Sequence, residues 1–121
     1  MNLSEIGELL QAEVLTGEDE LSLDVQTVMA SDLMSDVLSF SGSDALLITG
    51  LTNSQAVRTV EVAELCGIVF VRGKRPSEET IRLAQERNIP LLTTKSPMYE
   101  ACGVLYSHGI LGIKRHDSIT G

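Results

Sequence analysis

Short apolar runs alternate with helical patterns along the second half of this chain. Three segments share one plan, in which an apolar run stops at a cluster of Thr, Gly, Arg or Lys and a polar residue then opens a helical pattern; they are residues 45–53, 68–76 and 90–96. Short continuous apolar runs between helices are typical of buried parallel strands. The pattern therefore predicts an α/β fold: a single three-layer domain with a mostly parallel central sheet built from βα units.

The same periodicities assign elements to the whole chain. Predicted helices cover residues 3–12, 31–40, 53–65, 77–88 and 97–108. Predicted strands cover residues 13–17, 23–30, 45–49, 68–71 and 90–93, with a small edge strand at 110–113. The expected N-terminal caps are Ser4, Ser31, Asn53, Ser77 and Ser96, and the expected helix ends are Gly67, Asn88 and Gly109. Residues 18–20 and 41–44 are expected in turns and 114–121 in a tail, so that residues 1–121 form one domain with a core at about 5–113.

The charge of the chain is uneven, and this limits its partners. The formal net charge is −8, and the first basic residue, Arg58, follows about ten acidic residues. Aromatic residues make up 3% of the chain, whereas RNA and single-stranded DNA are usually bound by stacked aromatics on a basic surface. We therefore expect no nucleic-acid partner.

The start of the chain carries acids and no basic leader, and no apolar run approaches the roughly 18 residues that span a bilayer. These features favour a cytoplasmic protein that does not contact a membrane.

Parallel neighbouring strands bring the loops that follow them to one edge of the sheet, where ligands bind in open α/β folds. In this chain that rim holds four of the nine basic residues, beside helix N-termini whose free N–H groups favour anions. A nucleotide or phosphate ester is the functional hypothesis. The alternative is that the polar residues cap helices, the glycines form turns and the cations are solvated. The candidate ligand-binding residues are Thr49, Gly50, Thr52, Asn53, Arg72, Gly73, Lys74, Arg75, Ser77, Thr93, Thr94, Lys95 and Ser96.

Catalytic and metal-binding patterns are weak in this sequence. Asp32 and Asp36 have the i,i+4 spacing that could hold a hard metal ion or form an acid/base pair, but no third acid lies nearby, which favours roles in capping and on an exposed helix face. No GxxxxGK[ST], GxSxG or HExxH motif occurs. We therefore expect no enzyme activity, no cofactor and no metal.

The remaining chemically reactive side chains are predicted to have structural roles. Cys66 and Cys102 lie in helical apolar patterns without a CxxC motif and are expected to be small buried hydrophobes. His108 is expected near a helix C-terminus and His116 on the surface. Tyr99 and Tyr106 have helical spacing and are expected to be partly buried packing groups.

Three parts of the chain together resemble a known family. They are the stretch Val14-Leu-Thr-Gly17, the stretch from Val28 to Leu38 that contains Asp32-Leu-Met-Ser-Asp36, and the three βα units with Arg75-Pro-Ser77 at a helix start. Over about residues 5–113 the chain resembles a stand-alone DRTGG domain. The family is similar to the N-terminal domain of HPr kinase/phosphorylase and also occurs in phosphotransacetylases and between the CBS domains of some pyrophosphatases. The five-letter string of the family name is absent here, where the corresponding loop reads Thr49-Gly-Leu-Thr-Asn53.

The resemblance implies a non-catalytic regulatory or protein-interaction module that self-associates as a homodimer, since the family is an accessory, often dimer-forming unit. A protein partner is compatible with that role. The alternative is a sensor that binds a nucleotide or phosphorylated metabolite at the rim of the sheet. A third reading is an enzyme that uses Asp32 or Asp36 with a metal ion.

Overall fold

A computed structural model describes residues 1–39 and 44–113. Within those ranges the helices are α1 (Leu3–Leu10), α2 (Met34–Leu38), α3 (Ser54–Ala63), α4 (Glu78–Glu86) and α5 (Met98–Ser107). The strands are β1 (Glu13–Thr16), β2 (Thr27–Ala30), β3 (Ala45–Thr49), β4 (Gly67–Phe70), β5 (Leu91–Thr93) and β6 (Leu111–Gly112). A short 3₁₀ turn occupies Glu18–Glu20. The α/β prediction is confirmed.

All six strands form one sheet in the order β1-β5-β4-β3-β2-β6. The pairs from β5 to β6 are parallel, and β1 alone runs antiparallel, beside β5. The carboxyl ends of β3, β4 and β5 therefore meet at one rim of the sheet. Because β1 runs the other way, its first residue, Glu13, reaches the same rim and pairs with Thr93.

Two hydrophobic clusters separate the molecule into three layers. One cluster joins α1 and α5 to one face of the sheet and contains Leu3, Ile6, Leu92 and Leu105. The other lies on the opposite face, between the sheet and helices α2, α3 and α4, with Phe70 among its fully buried side chains. Every residue of β3 and β4 is buried, as expected for central strands covered on both faces.

The ends of the helices confirm some predicted caps and correct others. Asn53 caps α3 and Ser77 caps α4, each by accepting a backbone N–H bond at the first turn. The cap of α1 is Asn2 instead of Ser4, because Asn2 and Glu5 form a reciprocal capping box. Ser96 does not cap α5, whose N-cap position is held by Pro97 without a side-chain hydrogen bond.

The turn between α3 and β4 differs from the prediction. Gly67 does not end α3; the helix closes at Glu64, which adopts a left-handed φ of 59°, and Gly67 is the first residue of β4. Cys66 therefore lies in the connection and not in a helix. A larger residue would be crowded at this position, because a Cβ at Gly67 would lie 3.0 Å from the carbonyl oxygen of Pro90.

The strand predicted at 23–30 is shorter, and β2 covers Thr27–Ala30 alone. The residues before it pair with the start of α1 instead: the Leu3 N–H donates to the Leu23 carbonyl at 3.0 Å, and the Val25 N–H donates to the Met1 carbonyl at 2.8 Å. These hydrogen bonds give the backbone N–H and carbonyl groups of residues 23–25 partners outside the sheet.

The second helix ends at Leu38, with Ser39 as its C-cap, instead of at the predicted 40. Two predicted features fall outside the described residues: the loop around 41–43 and the 114–121 tail with His116. The predicted edge strand is present as β6 beside β2. Within the described ranges, no helix is long and apolar enough to cross a membrane.

Candidate ligand cleft at the ends of β4 and β5

Backbone hydrogen bonds join the three loops that follow β3, β4 and β5. The Val71 N–H donates to the Thr49 carbonyl at 3.1 Å, which links the first loop to the second. The Arg72 N–H donates to the Ser96 carbonyl at 2.9 Å, and the Gly73 N–H donates to the Thr94 carbonyl at 2.8 Å, which link the second loop to the third. The three predicted loops therefore form one continuous rim.

The loop after β4 is a tight turn that projects its cations outward. Arg72 and Gly73 both have left-handed φ values, 60° and 68°, and the Lys74 N–H donates to the Val71 carbonyl at 3.2 Å. Two central residues with positive φ are the signature of a type I′ turn. The turn leaves Arg72, Lys74 and Arg75 exposed.

An open cleft of about 450 Å³ lies where the β4 and β5 loops meet the junction of α1 and β1. Its wall combines two cationic side chains, one carboxylate, hydroxyl groups and a glycine. The residues that line it are Leu10, Gln11, Glu13, Gly73, Arg75, Thr93, Thr94, Lys95 and Ser96.

Arg75 and Glu13 face each other in the wall of this cleft as a two-pronged ion pair. The Arg75 guanidinium donates from its two terminal nitrogens to the two Glu13 carboxylate oxygens, at 2.7 and 3.2 Å. These hydrogen bonds and the opposite charges lower the pKa of Glu13 and raise the pKa of Arg75. Glu13 is therefore ionised at neutral pH and competes with any external anion for Arg75.

Lys95 stands in the same wall without such a competitor. It is exposed and forms no ion pair with any described residue. Among the cleft's two cations, Lys95 is thus the one whose charge is not already compensated by a carboxylate of the chain.

The hydroxyl groups of the two threonines at the end of β5 bond to the protein backbone and stabilise the wall of the cleft. The Thr93 hydroxyl donates to the Lys74 carbonyl at 2.7 Å, and the Thr94 hydroxyl donates to the Leu10 carbonyl at 2.7 Å. The second bond is buried and ties the C-terminus of α1 to the β5 loop. Both hydroxyl protons are committed, so these residues position the cleft.

The β3 loop lies outside the cleft, and the chain itself supplies the anion there. One carboxylate oxygen of Asp32 accepts hydrogen bonds from the Thr49 hydroxyl at 2.9 Å and from the Gly50 N–H at 2.7 Å. Arg72 lies over the same loop, since a Cβ at Gly50 would sit 2.7 Å from a guanidinium nitrogen. An internal carboxylate thus occupies the donors that were predicted to bind an external anion.

This role of Asp32 corrects the predicted acid pair. α2 begins at Met34 and its N-cap position is Leu33, so Asp32 precedes the helix and does not share a helix face with Asp36. Ser31 is not the cap; its hydroxyl accepts from the Leu33 N–H at 3.0 Å. The described part of the chain contains no group of three or more His, Cys, Asp or Glu residues that could hold a metal ion.

The thirteen predicted rim residues therefore separate into distinct groups. Gly73, Arg75, Thr93, Thr94, Lys95 and Ser96 line the cleft. Asn53 and Ser77 cap helices, Thr49 and Gly50 donate to Asp32, and Arg72 lies over Gly50. Thr52 and Lys74 lie on the rim outside the cleft wall.

Three residues of the wall were not among the predicted site residues: Leu10, Gln11 and Glu13. They come from the α1–β1 junction, which reaches the rim because β1 is antiparallel. The direction of an edge strand does not follow from any local sequence pattern. The position of these three residues beside the cleft could therefore not be predicted from their spacing along the chain.

The cysteines and tyrosines differ in how far they follow the predictions. Cys66 and Cys102 are free and half-buried. Burial raises the pKa of Cys102, and burial together with the nearby charge of Asp44 raises the pKa of Cys66 to about 11, so both remain thiols at neutral pH.

Tyr99 and Tyr106 are not packing groups; they are 85% and 67% exposed. His108 holds the C-cap position of α5, as expected.

A protein-family model described as the DRTGG domain matches residues 5–107 of this chain. The chain belongs to the DRTGG-domain family. No curated protein matches its sequence.

A solved structure also resembles this DRTGG domain. It is the crystal structure of the CBS and DRTGG domains of the regulatory region of Clostridium perfringens pyrophosphatase, complexed with the activator diadenosine tetraphosphate. The TM-score is 0.72 at 18% sequence identity, and the match covers 98% of this chain and 52% of that chain. The DRTGG domain described here thus spans about half the length of that regulatory region, and the likeness concerns the fold.

Proposed function

We propose that this DRTGG domain is a non-catalytic regulatory module that binds a small phosphorylated ligand in the cleft between the β4 and β5 loops and self-associates as a homodimer. The observation that carries the ligand proposal is the wall of that cleft, where Lys95 and Arg75 meet at the carboxyl ends of parallel strands. Ligands of open α/β sheets bind at this edge.

The charge distribution of the domain supports an anionic ligand at this place. The chain has a net charge of −8, which as a whole repels anions, whereas the cleft presents two of its nine basic side chains together. A local concentration of one charge in a concave site attracts ligands of the opposite charge.

The wall also favours a ligand that is more than a bare phosphate. Beside the two cations the wall carries the Gln11 amide and the Ser96 hydroxyl, which can both donate and accept hydrogen bonds. A ligand that combines phosphate with hydroxyl or amino groups, such as a nucleotide or a sugar phosphate, complements both kinds of group.

The solved relative supports a regulatory role of this kind. That structure contains the CBS and DRTGG domains of the regulatory region of a pyrophosphatase in complex with the activator diadenosine tetraphosphate. We propose by analogy that this domain transmits the presence of a phosphorylated compound to a partner protein. We place it in the cytoplasm, where phosphorylated metabolites and free thiols such as Cys66 and Cys102 are found.

Lys95→Ala is expected to weaken ligand binding by at least about tenfold, because a charge-assisted contact contributes roughly 1.5–3 kcal/mol. The measurement is the thermal shift of the domain with ATP, AMP, diadenosine tetraphosphate and glucose 6-phosphate, followed by calorimetric titration of each compound that stabilises it. Arg82→Ala is the matched control, since Arg82 is exposed on α4 and lies away from the cleft. The ligand proposal is wrong if no compound shifts the melting temperature, or if Lys95→Ala binds as the unchanged chain does.

Glu13→Gln is expected to tighten binding of the same compound by about threefold, because it keeps the shape of the side chain but releases Arg75 from an exposed ion pair. Since the pKa of Glu13 is lowered by Arg75, Glu13 competes throughout the neutral pH range. Glu78→Gln is the control, because it changes the net charge equally at an exposed acid outside the cleft. Equal affinity of the two variants would mean that Glu13 does not compete for Arg75.

A further inference from the structure

We infer that the outward face of α5 is the surface through which two copies of this chain pair, with a two-fold axis beside Gly103. The inference rests on the proposed self-association and names the face that mediates it. It begins with Tyr99 and Tyr106, which are 85% and 67% exposed. They are seven residues apart, about two helical turns, and so lie on one side of α5.

α5 carries two apolar stripes instead of one. Ala101 and Leu105 form the buried stripe, and the residues packed at its edges are Met98, Cys102 and Val104. The second stripe has the spacing i, i+4, i+7 and consists of Tyr99, Gly103 and Tyr106, all exposed. A surface helix needs only one such stripe to face its own core. The second stripe is therefore available to face another molecule.

The second stripe is shaped for its own copy. A Cβ at Gly103 would have no atom within 4 Å, so the centre of the face is shallow and another helix can approach closely. Tyr99 precedes Gly103 by four residues and Tyr106 follows it by three. In an antiparallel pair around a two-fold axis beside Gly103, Tyr99 of each copy lies opposite Tyr106 of the other. Such isologous contact is the usual geometry of homodimers, and aromatic pairs pack well in offset arrangements.

Charge also favours a second copy at this face. Glu100 is the sole charged residue within α5, although the whole chain carries a net charge of −8. Helices α1, α3 and α4 each present two or more charged side chains. Pairing through α5 therefore brings together the least charged helix among these four and limits the repulsion between two acidic molecules.

The exposed area of the tyrosines is a substantial part of the area that a stable dimer interface buries. An aromatic side chain buries about 150–250 Å², so four tyrosines supply on the order of 600 Å² of the roughly 1,200–2,000 Å² that a stable interface requires. The flanks of α5 and adjoining residues would supply the rest.

α5 also follows directly after the cleft, with Tyr99 three residues beyond Ser96, so that a ligand and a dimer partner would contact the same segment.

The test compares the oligomeric state of the full chain with that of the double variant Tyr99→Ser, Tyr106→Ser by sedimentation velocity over a wide concentration range. The unchanged chain is expected to be a dimer, and the double variant is expected to dissociate at least about tenfold more readily. Both tyrosines are exposed, so the fold should persist, which circular dichroism and urea denaturation check. Val62→Ser is the control, because Val62 is 72% exposed on α3 and should leave the dimer intact.

A cross-link supplies a second readout. Gly103→Cys in a Cys66→Ser, Cys102→Ser background is expected to form an intermolecular disulfide under mild oxidation, whereas Val62→Cys in that background is not. A monomeric unchanged chain would overturn both the proposed homodimer and this face. A dimer that persists in the double variant and does not cross-link through residue 103 would overturn the face alone.

Discussion

Gly17→Ala is expected to lower the free energy of unfolding by about 3 kcal/mol, as the sum of a conformational cost and a steric cost. Gly17 has a left-handed φ of 84°, which costs a residue with a Cβ roughly 1–2 kcal/mol. A Cβ would also lie 2.6 Å from the Cα of Pro90. That atom belongs to the backbone and cannot move without disturbing β5, which adds roughly 1–3 kcal/mol. Urea denaturation followed by circular dichroism measures the change.

Gly109→Ala separates the two costs. Gly109 also has a left-handed φ, 93°, but a Cβ there would meet no atom within 4 Å. We therefore expect a loss of about 1 kcal/mol from the conformational term alone. Equal losses in the two variants would show that the close approach to Pro90 has no effect on stability.

Thr16→Val is expected to destabilise the domain by about 2–4 kcal/mol although it preserves the shape of the side chain. The Thr16 hydroxyl donates to the Ile89 carbonyl at 2.7 Å and accepts from the Leu91 N–H at 3.0 Å. Thr16 is 3% exposed, so valine would leave two buried backbone groups without partners, each at a cost of roughly 1–3 kcal/mol. Chemical denaturation is again the measurement.

Thr27→Val is the matched control for this prediction. Thr27 lies in β2 and its hydroxyl makes no hydrogen bond with any described residue, so the substitution should change stability by less than about 0.5 kcal/mol. Equal changes in the free energy of unfolding for the two variants would show that the Thr16 hydroxyl does not stabilise this part of the sheet.

Thr16 and Gly17 matter for the cleft because they attach β1 to the rest of the sheet. The β1–β5 ladder has an irregularity between Val14 and Thr16, and the Thr16 hydroxyl bonds to the backbone of Ile89 and Leu91 beside it. β1 in turn carries Glu13 to the cleft. Weakening this attachment should therefore loosen the wall opposite Arg75 and Lys95 as well as destabilise the fold.

Much of the fold could be predicted because it depends on local patterns. The apolar runs before Thr49, Arg72 and Thr93 became strands β3, β4 and β5, since a continuous apolar run must be covered on both faces. Asn53 and Ser77 became caps because their side chains reach the N–H groups of the next turn. The same patterns predicted that the loops after these strands share one rim.

Features that depend on contacts between distant residues could not be predicted in this way. Asp32 looked like a residue of the first turn of a helix, yet it bonds to Thr49 and Gly50 across the rim. Tyr99 and Tyr106 have the spacing of packing residues, but the helix has two apolar stripes, and spacing alone does not say which stripe faces the sheet.

By itself, the sequence determined the α/β class, the central parallel strands, the caps of α3 and α4 and the concentration of cations at one rim, because periodicity and capping act over a few residues. Tertiary structure decided which rim residues form the cleft, that Glu13 faces Arg75 and that Asp32 closes the β3 loop. It also decided which stripe of α5 remains outside. These outcomes depend on the direction of β1, on hydrogen bonds between remote residues and on which surfaces the two cores leave uncovered.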